Sequence, residues 1–126
     1  MREIILNKNT MIVSETNSRG MINYANDDFC KIAGYTKEEI IGQPHNIVRH
    51  DDMPKVAFED LWSTVKSGGI WNGIVKNKTK EGDYYWVNAT VYKSIDTNNE
   101  IRYISVRVKP TEEEVSSAID LYKRLK

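Results

Sequence analysis

The strongest constraint on the fold lies in the second half of the chain, where apolar residues recur at every second position through three successive runs. "IWNGIVKNKTKEG", "DYYWVNATVYKSI" and "IRYISVRVKP" alternate in this way, and "KEGD" and "DTNNE" between them carry turn chemistry. Successive side chains on a strand point to opposite faces, so the pattern specifies extended chain with one face buried. Turns this short join antiparallel neighbours, since a parallel pair needs a crossover of a dozen or more residues. The pattern predicts a three-stranded meander. A sheet with one apolar face must be covered, and the first half of the chain has to supply the cover.

That half reads as a hairpin followed by short helices. In "TMIVSETNSRGMINYAN", Met11-Ile12-Val13 is an apolar run, "NSRG" a turn, and Met21-Ile22-Asn23-Tyr24 a second strand. "NDDFCKIAGY" is a short helix capped by Asn26 or Asp27 and stopped by Gly34. In "TKEEIIG", Thr36 with Glu39 three residues later has the form of a capping box. "PKVAFEDLWSTVKSGG" is a longer helix, with Val56, Ala57, Leu61, Thr64 and Val65 near helical spacing. "TEEEVSSAIDLYKRLK" closes the chain as an amphipathic helix with acids in its first turn and bases in its last, matching the helix dipole. The expected organisation is an N-terminal segment at 1–9, a domain at 10–110 and a C-terminal output helix at 111–126.

Length and charge narrow the function. At 126 residues the chain makes one domain, long enough for a core without staples. Lys+Arg and Asp+Glu both number 18, so the basic excess of a general nucleic-acid or membrane-surface binder is missing. No apolar run approaches the ~20 residues of a membrane-spanning helix. One cysteine, Cys30, allows no internal disulfide, and a cytoplasmic location is expected. No nucleophile–base pair or glycine-rich phosphate loop can be read, so an enzyme is not expected.

The chemistry concentrates in one loop, "GQPHNIVRHDDMP" from Gly42 to Pro54, which holds both histidines of the chain. A zinc site built on His45 and His50 would need two more ligands, with Cys30 the only thiol, and no metal is expected. Haem held by one histidine is physically open, but an apolar haem pocket has little use for Arg49 and Asp52 beside His50. Arg and His can donate to a pyrophosphate or to ring carbonyls, and Asp can accept from a ring N–H or a sugar hydroxyl. The bland alternative is a surface ion pair between Arg49 and Asp52 that merely fixes the loop.

The order of elements, together with "YANDDFCKIAGYTKEEIIGQPHNIVRHDDMPKVAFEDLW" and "WNGIVKNKTKEGDYYWVNA", resembles the PAS domain of bacterial aerotaxis receptors. That family writes the loop G-Q-P-H-N-x-V-R-H-P-D-M-P and the strand W-x-G-x-V-K-N. Here Asp51 replaces the internal proline, which loosens the loop and adds a charge. The resemblance spans about residues 10–125. It implies an α+β fold, a single PAS domain with a five-stranded antiparallel sheet and short helices walling a pocket. It also implies non-covalent FAD, redox or oxygen sensing, and a chemoreceptor signalling region in cis or in trans, with a homodimer expected.

The resemblance puts His45, Asn46, Arg49, His50 and Asp52 of the loop at the flavin site. Asn26 joins them by its match to a family asparagine, although on its own it reads as a helix cap. Asn77 shares a strand face with Trp71, and its amide can match the edge of an isoalloxazine ring, as an asparagine does in flavin-binding light-oxygen-voltage domains. Trp71 is either an aromatic wall for the ligand or ordinary core. Arg107 falls where light-oxygen-voltage domains carry a flavin-facing glutamine, and faces either the pocket or solvent. Trp62 and Trp86 read as core. The loop lacks the cysteine that adduct photochemistry needs. The reading from a different class is a cofactor-free interaction domain pairing through its sheet and terminal helix.

Overall fold

A computed structural model of the protein describes residues 1–125. The elements run β1 (Met11–Asn17), β2 (Ile22–Ala25), α1 (Asp27–Ala33), α2 (Lys37–Ile40), a 3₁₀ turn at His45–Val48, α3 (Lys55–Lys66), β3 (Trp71–Lys78), β4 (Tyr84–Ile95), β5 (Ile101–Val108) and α4 (Glu112–Leu125). The strands form one antiparallel sheet in the order β2-β1-β5-β4-β3. The hairpin and the meander thus meet at β1 and β5, which places both chain halves around one core. This is the expected α+β, five-stranded architecture.

Local chemistry explains the short helices. Asn26 caps α1 by accepting from the Phe29 N–H, and Gly34 ends it in the left-handed region at φ 84°. The capping box at Thr36 and Glu39 is present in full. Glu39 also pairs with Lys80 of the β3–β4 turn, tying α2 to the far side of the sheet. Phe29 and Ala33 of α1, Ile40 of α2 and Val65 of α3 are fully buried on the inner face of the sheet. Burying Phe29 alone stabilises by roughly 1.5–3 kcal/mol.

Two faces differ from the sequence pattern. In α3, Leu61 and Val65 are buried but Val56 is 45% exposed, while Phe58 and Trp62 pack half-buried on the sheet side. The helix starts at Lys55 with Pro54 as its cap, and this phase turns Phe58 inward and Val56 outward. The terminal helix α4 lies on the outer face over β3 and β4. Ala118 is buried there, Tyr122 donates to the carbonyl of Ile74, and Asn88 donates to Glu114 at 3.2 Å. On this amphipathic helix Ile119 and Leu125 are 37% and 47% exposed. The N-terminal segment is also anchored, through Ile4 N–H to the Tyr84 carbonyl at 2.8 Å and Leu6 in the core.

Candidate functional site

Between the inner face of the sheet and the helices lies a cavity of about 350 Å³. That is within the ~300–1,000 Å³ range of ligand pockets. Its floor is sheet: Ser14 and Thr16 of β1, Val75 and Asn77 of β3, Ala89 and Val91 of β4, Tyr103, Ser105 and Arg107 of β5. Its roof is Phe58, Leu61 and Trp62 of α3 with His45, Val48 and Arg49 of the loop. The floor residues alternate along their strands, so the period-two pattern that builds the core also points them at the cavity.

Arg107 dominates the electrostatics. It is 2% exposed, and burial pulls its guanidinium down to about 10, with Tyr85 nearby opposing the shift. Its Nη2 donates to Ser14 Oγ at 2.6 Å, and its guanidinium carbon lies 4.8 Å from the Phe29 ring centroid. Guanidinium can only donate, so Ser14 Oγ accepts from it, and the same Oγ is hydrogen-bonded to His45 Nε2 at 3.0 Å, in the direction that the His45 tautomer sets. His45 is neutral. Burial, followed by the charges of Arg107 and Arg49, holds its pKa down at about 3. The surface His45 keeps is partial, and the residue lines the cavity.

The loop joins the sheet as an extra edge segment. Arg49 bridges Asn77 in antiparallel fashion, and His50 N–H reaches the Lys76 carbonyl at 3.3 Å. This turns Arg49 inward, its guanidinium 3.7 Å over the Phe58 ring, and burial lowers its pKa. Among the described residues, Arg49 Nε, Arg107 Nε and Nη1, and Asn77 Nδ2 are buried donors without a hydrogen-bond partner. Such donors cost about 1–3 kcal/mol each unless something accepts from them.

The structure brings five of the residues singled out in the sequence, His45, Asn46, Arg49, Asn77 and Arg107, to this one cavity. The other four sit elsewhere. Asn26 spends its side chain on three backbone groups: it accepts from Val13 and Phe29 and donates to Met11. His50 turns away, edge-on to Tyr84 at 6.1 Å, and its Nδ1 accepts from the Asp52 N–H at 3.0 Å. Burial and then Lys76 lower the His50 pKa, with Asp52 opposing. Asp52 accepts from Lys76 Nζ at 2.7 Å on the outside of the loop. Trp71 has the expected strand face, but its ring folds over Gly73 toward α3 and donates to Asp60 at 2.9 Å. A Cβ at Gly73 would fall 2.4 Å from that ring, so only glycine leaves room for it. Ser14, Phe58 and Trp62 line the cavity without having been singled out for it. The buried face of β1 reads Ile12, Ser14, Thr16, and two polar residues in succession on a buried face are the signal for Ser14.

A five-stranded antiparallel sheet crossed by short helices over a cavity is the architecture of the PAS fold, and the sequence comparisons agree. The pattern of the PAS fold matches residues 22–107, so the chain belongs to the PAS family. Within that family it is similar to the aerotaxis receptor of Escherichia coli (strain K12), at 47% identity over 116 residues. That alignment covers 92% of this chain and 23% of the receptor. The nitrogen fixation regulatory protein of Klebsiella pneumoniae is 23% identical over 75% of the chain and 19% of its own length. The chain therefore spans about a fifth to a quarter of these relatives. Among solved structures, a light-oxygen-voltage domain studied with a flavin analogue superposes with a TM-score of 0.75 at 18% identity, covering 92% and 89% of the two chains. A PAS domain from Colwellia psychrerythraea gives 0.66 at 23% identity, covering 82% and 88%. No helix among the described residues is long and apolar enough to cross a membrane.

Proposed function

We propose that the chain is the FAD-binding sensory domain of an aerotaxis or energy-taxis system, acting in the cytoplasm and without enzymatic activity. The observation that carries this reading is the donor set of the cavity. The buried orphans at its wall are N–H donors of Arg49, Arg107 and Asn77 together with the Thr16 hydroxyl, and no carboxylate lines it among the described residues. An isoalloxazine ring presents carbonyl and ring-nitrogen acceptors along one edge and flat apolar faces, which Val48, Val75, Leu61 and Ala89 can cover. FAD would supply reversible electron uptake. A porphyrin has no use for these donors, and a cofactor-free interaction domain would leave them unsatisfied in its core.

Reduction adds negative charge beside Arg107, and only a ligand with differential interactions in two states can shift a protein between them. The rearrangement would pass across the sheet to α4 and on to a chemoreceptor signalling region on the same or a partner chain, in a homodimer. The test is direct. Purified protein, or protein reconstituted with FAD, should show flavin bands near ~370 and ~450 nm. Hydrogen exchange across residues 111–125 should differ between oxidised and dithionite-reduced forms. A colourless protein that takes up no FAD would favour the interaction reading, and a Soret band would favour haem.

Arg49 and Asp52 should separate by mechanism. Arg49→Ala removes donors aimed into the cavity and should lower FAD affinity by one to two decades, roughly 1–3 kcal/mol. It should leave the ligand-free fold nearly as stable. Asp52→Ala breaks an outward pair with Lys76, worth at most about 1 kcal/mol, and should act on affinity only as far as it loosens the loop. Titration with FAD beside urea unfolding of ligand-free protein measures both. A larger affinity loss for Asp52→Ala at unchanged stability would put Asp52 on the ligand.

A further inference from the structure

The cavity has a closed end and an open one. Ser14, Arg107 and Asn77 are buried at one end. At the other, Ser18 and Arg19 of the β1–β2 turn and Lys66 at the end of α3 are exposed. Along β1 the span from Ser14 to Ser18 is roughly 13 Å at strand rise. Four formal cations line this length, Arg107 and Arg49 within, Arg19 and Lys66 at the mouth. In a chain of zero net charge, a wall with four cations and no acidic residue among the described lining is a strong local asymmetry.

The mouth is also held in place. Asn17 Oδ1 accepts from the Arg19 and Met21 N–H groups at 2.9 and 3.1 Å, and the Gly20 N–H donates to the Asn17 carbonyl at 3.0 Å. His45 N–H closes the turn onto the loop by donating to the Gly20 carbonyl at 3.0 Å. Opposite, Lys93 of β4 donates to the Lys66 carbonyl at 3.2 Å and ties the end of α3 to the sheet. Trp62 stands between the two sides, edge-on to Tyr103 at 5.1 Å, with Lys66 Nζ 5.9 Å from its ring centroid.

We propose that the mouth formed by Arg19, Lys66 and Trp62 is a subsite for the phosphorylated tail of the ligand, which enters ring first. The inference rests on the flavin reading and deepens it. The deep donors take the ring edge, the two rim cations take phosphate oxygens, and the indole is placed to stack on a base beyond them. The pyrophosphate contact, which the sequence left open to Arg49 and His50 beside ring carbonyls, falls to the rim, because Arg49 is turned onto Phe58 and His50 faces away.

Ligand-free protein is titrated calorimetrically with riboflavin, FMN and FAD. Wild type should bind FMN and FAD at least tenfold more tightly than riboflavin, and the gap should shrink as salt is raised, because phosphate contacts at an exposed rim are screened. In the double variant Arg19→Gln/Lys66→Gln the gap should fall below threefold with riboflavin affinity unchanged. Trp62→Leu should remove any advantage of FAD over FMN. Equal affinity of wild type for all three flavins, or a gap that survives in the double variant, overturns the rim assignment while leaving the ring site standing. Failure of all three to bind overturns the flavin reading and this inference together.

Discussion

Lowering the pH from 7 to 4.5 should destabilise this domain by roughly 2.5 kcal/mol through His45 alone. The imidazole is held neutral at about 3 by burial and by the nearby Arg107 and Arg49 charges. In the unfolded chain the same group binds its proton near 6.5. Between these values the unfolded state holds more protons, so stability falls as pH falls, by about 1.4 kcal/mol per unit once below 6.5. Protonation would also place a further cation beside Arg107 and Arg49. Ser14 Oγ, which already accepts from Arg107, would have to accept from the imidazolium as well. Urea unfolding of wild type and His45→Gln across this range isolates the effect, since the carboxylates titrate alike in both. The variant should lose the steep part of the acid limb. Parallel limbs would mean that His45 reaches solvent and titrates normally.

The sheet was readable because its signal is local. Alternation in β3, β4 and β5 and the turns between them need no knowledge of what packs above, and the same holds for the capping box at Thr36 and Glu39. The site depends on how distant pieces meet. Arg107 could face either way from its sequence alone. Its orientation follows from the pairing of β5 with β1, which sets it opposite Ile12 and next to Ser14. Asn26 and Trp71 carry side chains suited to a ligand, yet each is already committed, to backbone at the start of α1 and to Asp60 across Gly73. The loop illustrates the same limit within a few residues. Arg49 and His50 are neighbours in sequence, and once the loop pairs with the edge of β3 they point to opposite sides. Arg19 and Lys66 read as ordinary surface charges until the turn and the end of α3 are seen to flank one opening.

Arg107→Met should move ligand affinity and ligand-free stability in opposite directions. Arg107 is a fully buried cation with no carboxylate lining the cavity among the described residues, and two of its nitrogen donors lack partners. A charge in that position costs the ligand-free fold several kcal/mol, and an apolar residue of similar length removes the cost. Ligand-free Arg107→Met should unfold at the same or a higher urea concentration than wild type. Ser14 can still donate to His45, so the change leaves no new orphan there. With ligand the balance reverses. A desolvated cation facing an acceptor edge, and still more an anionic reduced ring, is worth roughly 2–5 kcal/mol. FAD affinity should therefore fall at least a hundredfold. Whatever flavin is retained should have a more negative midpoint potential, because the charge that favours the reduced form is gone. Arg107→Lys, which keeps the charge but not the fork of donors, should recover the potential more than the affinity. A variant that loses stability and affinity together would make Arg107 a packing residue. One that gains stability at unchanged affinity and potential would mean that the cation never meets the ligand.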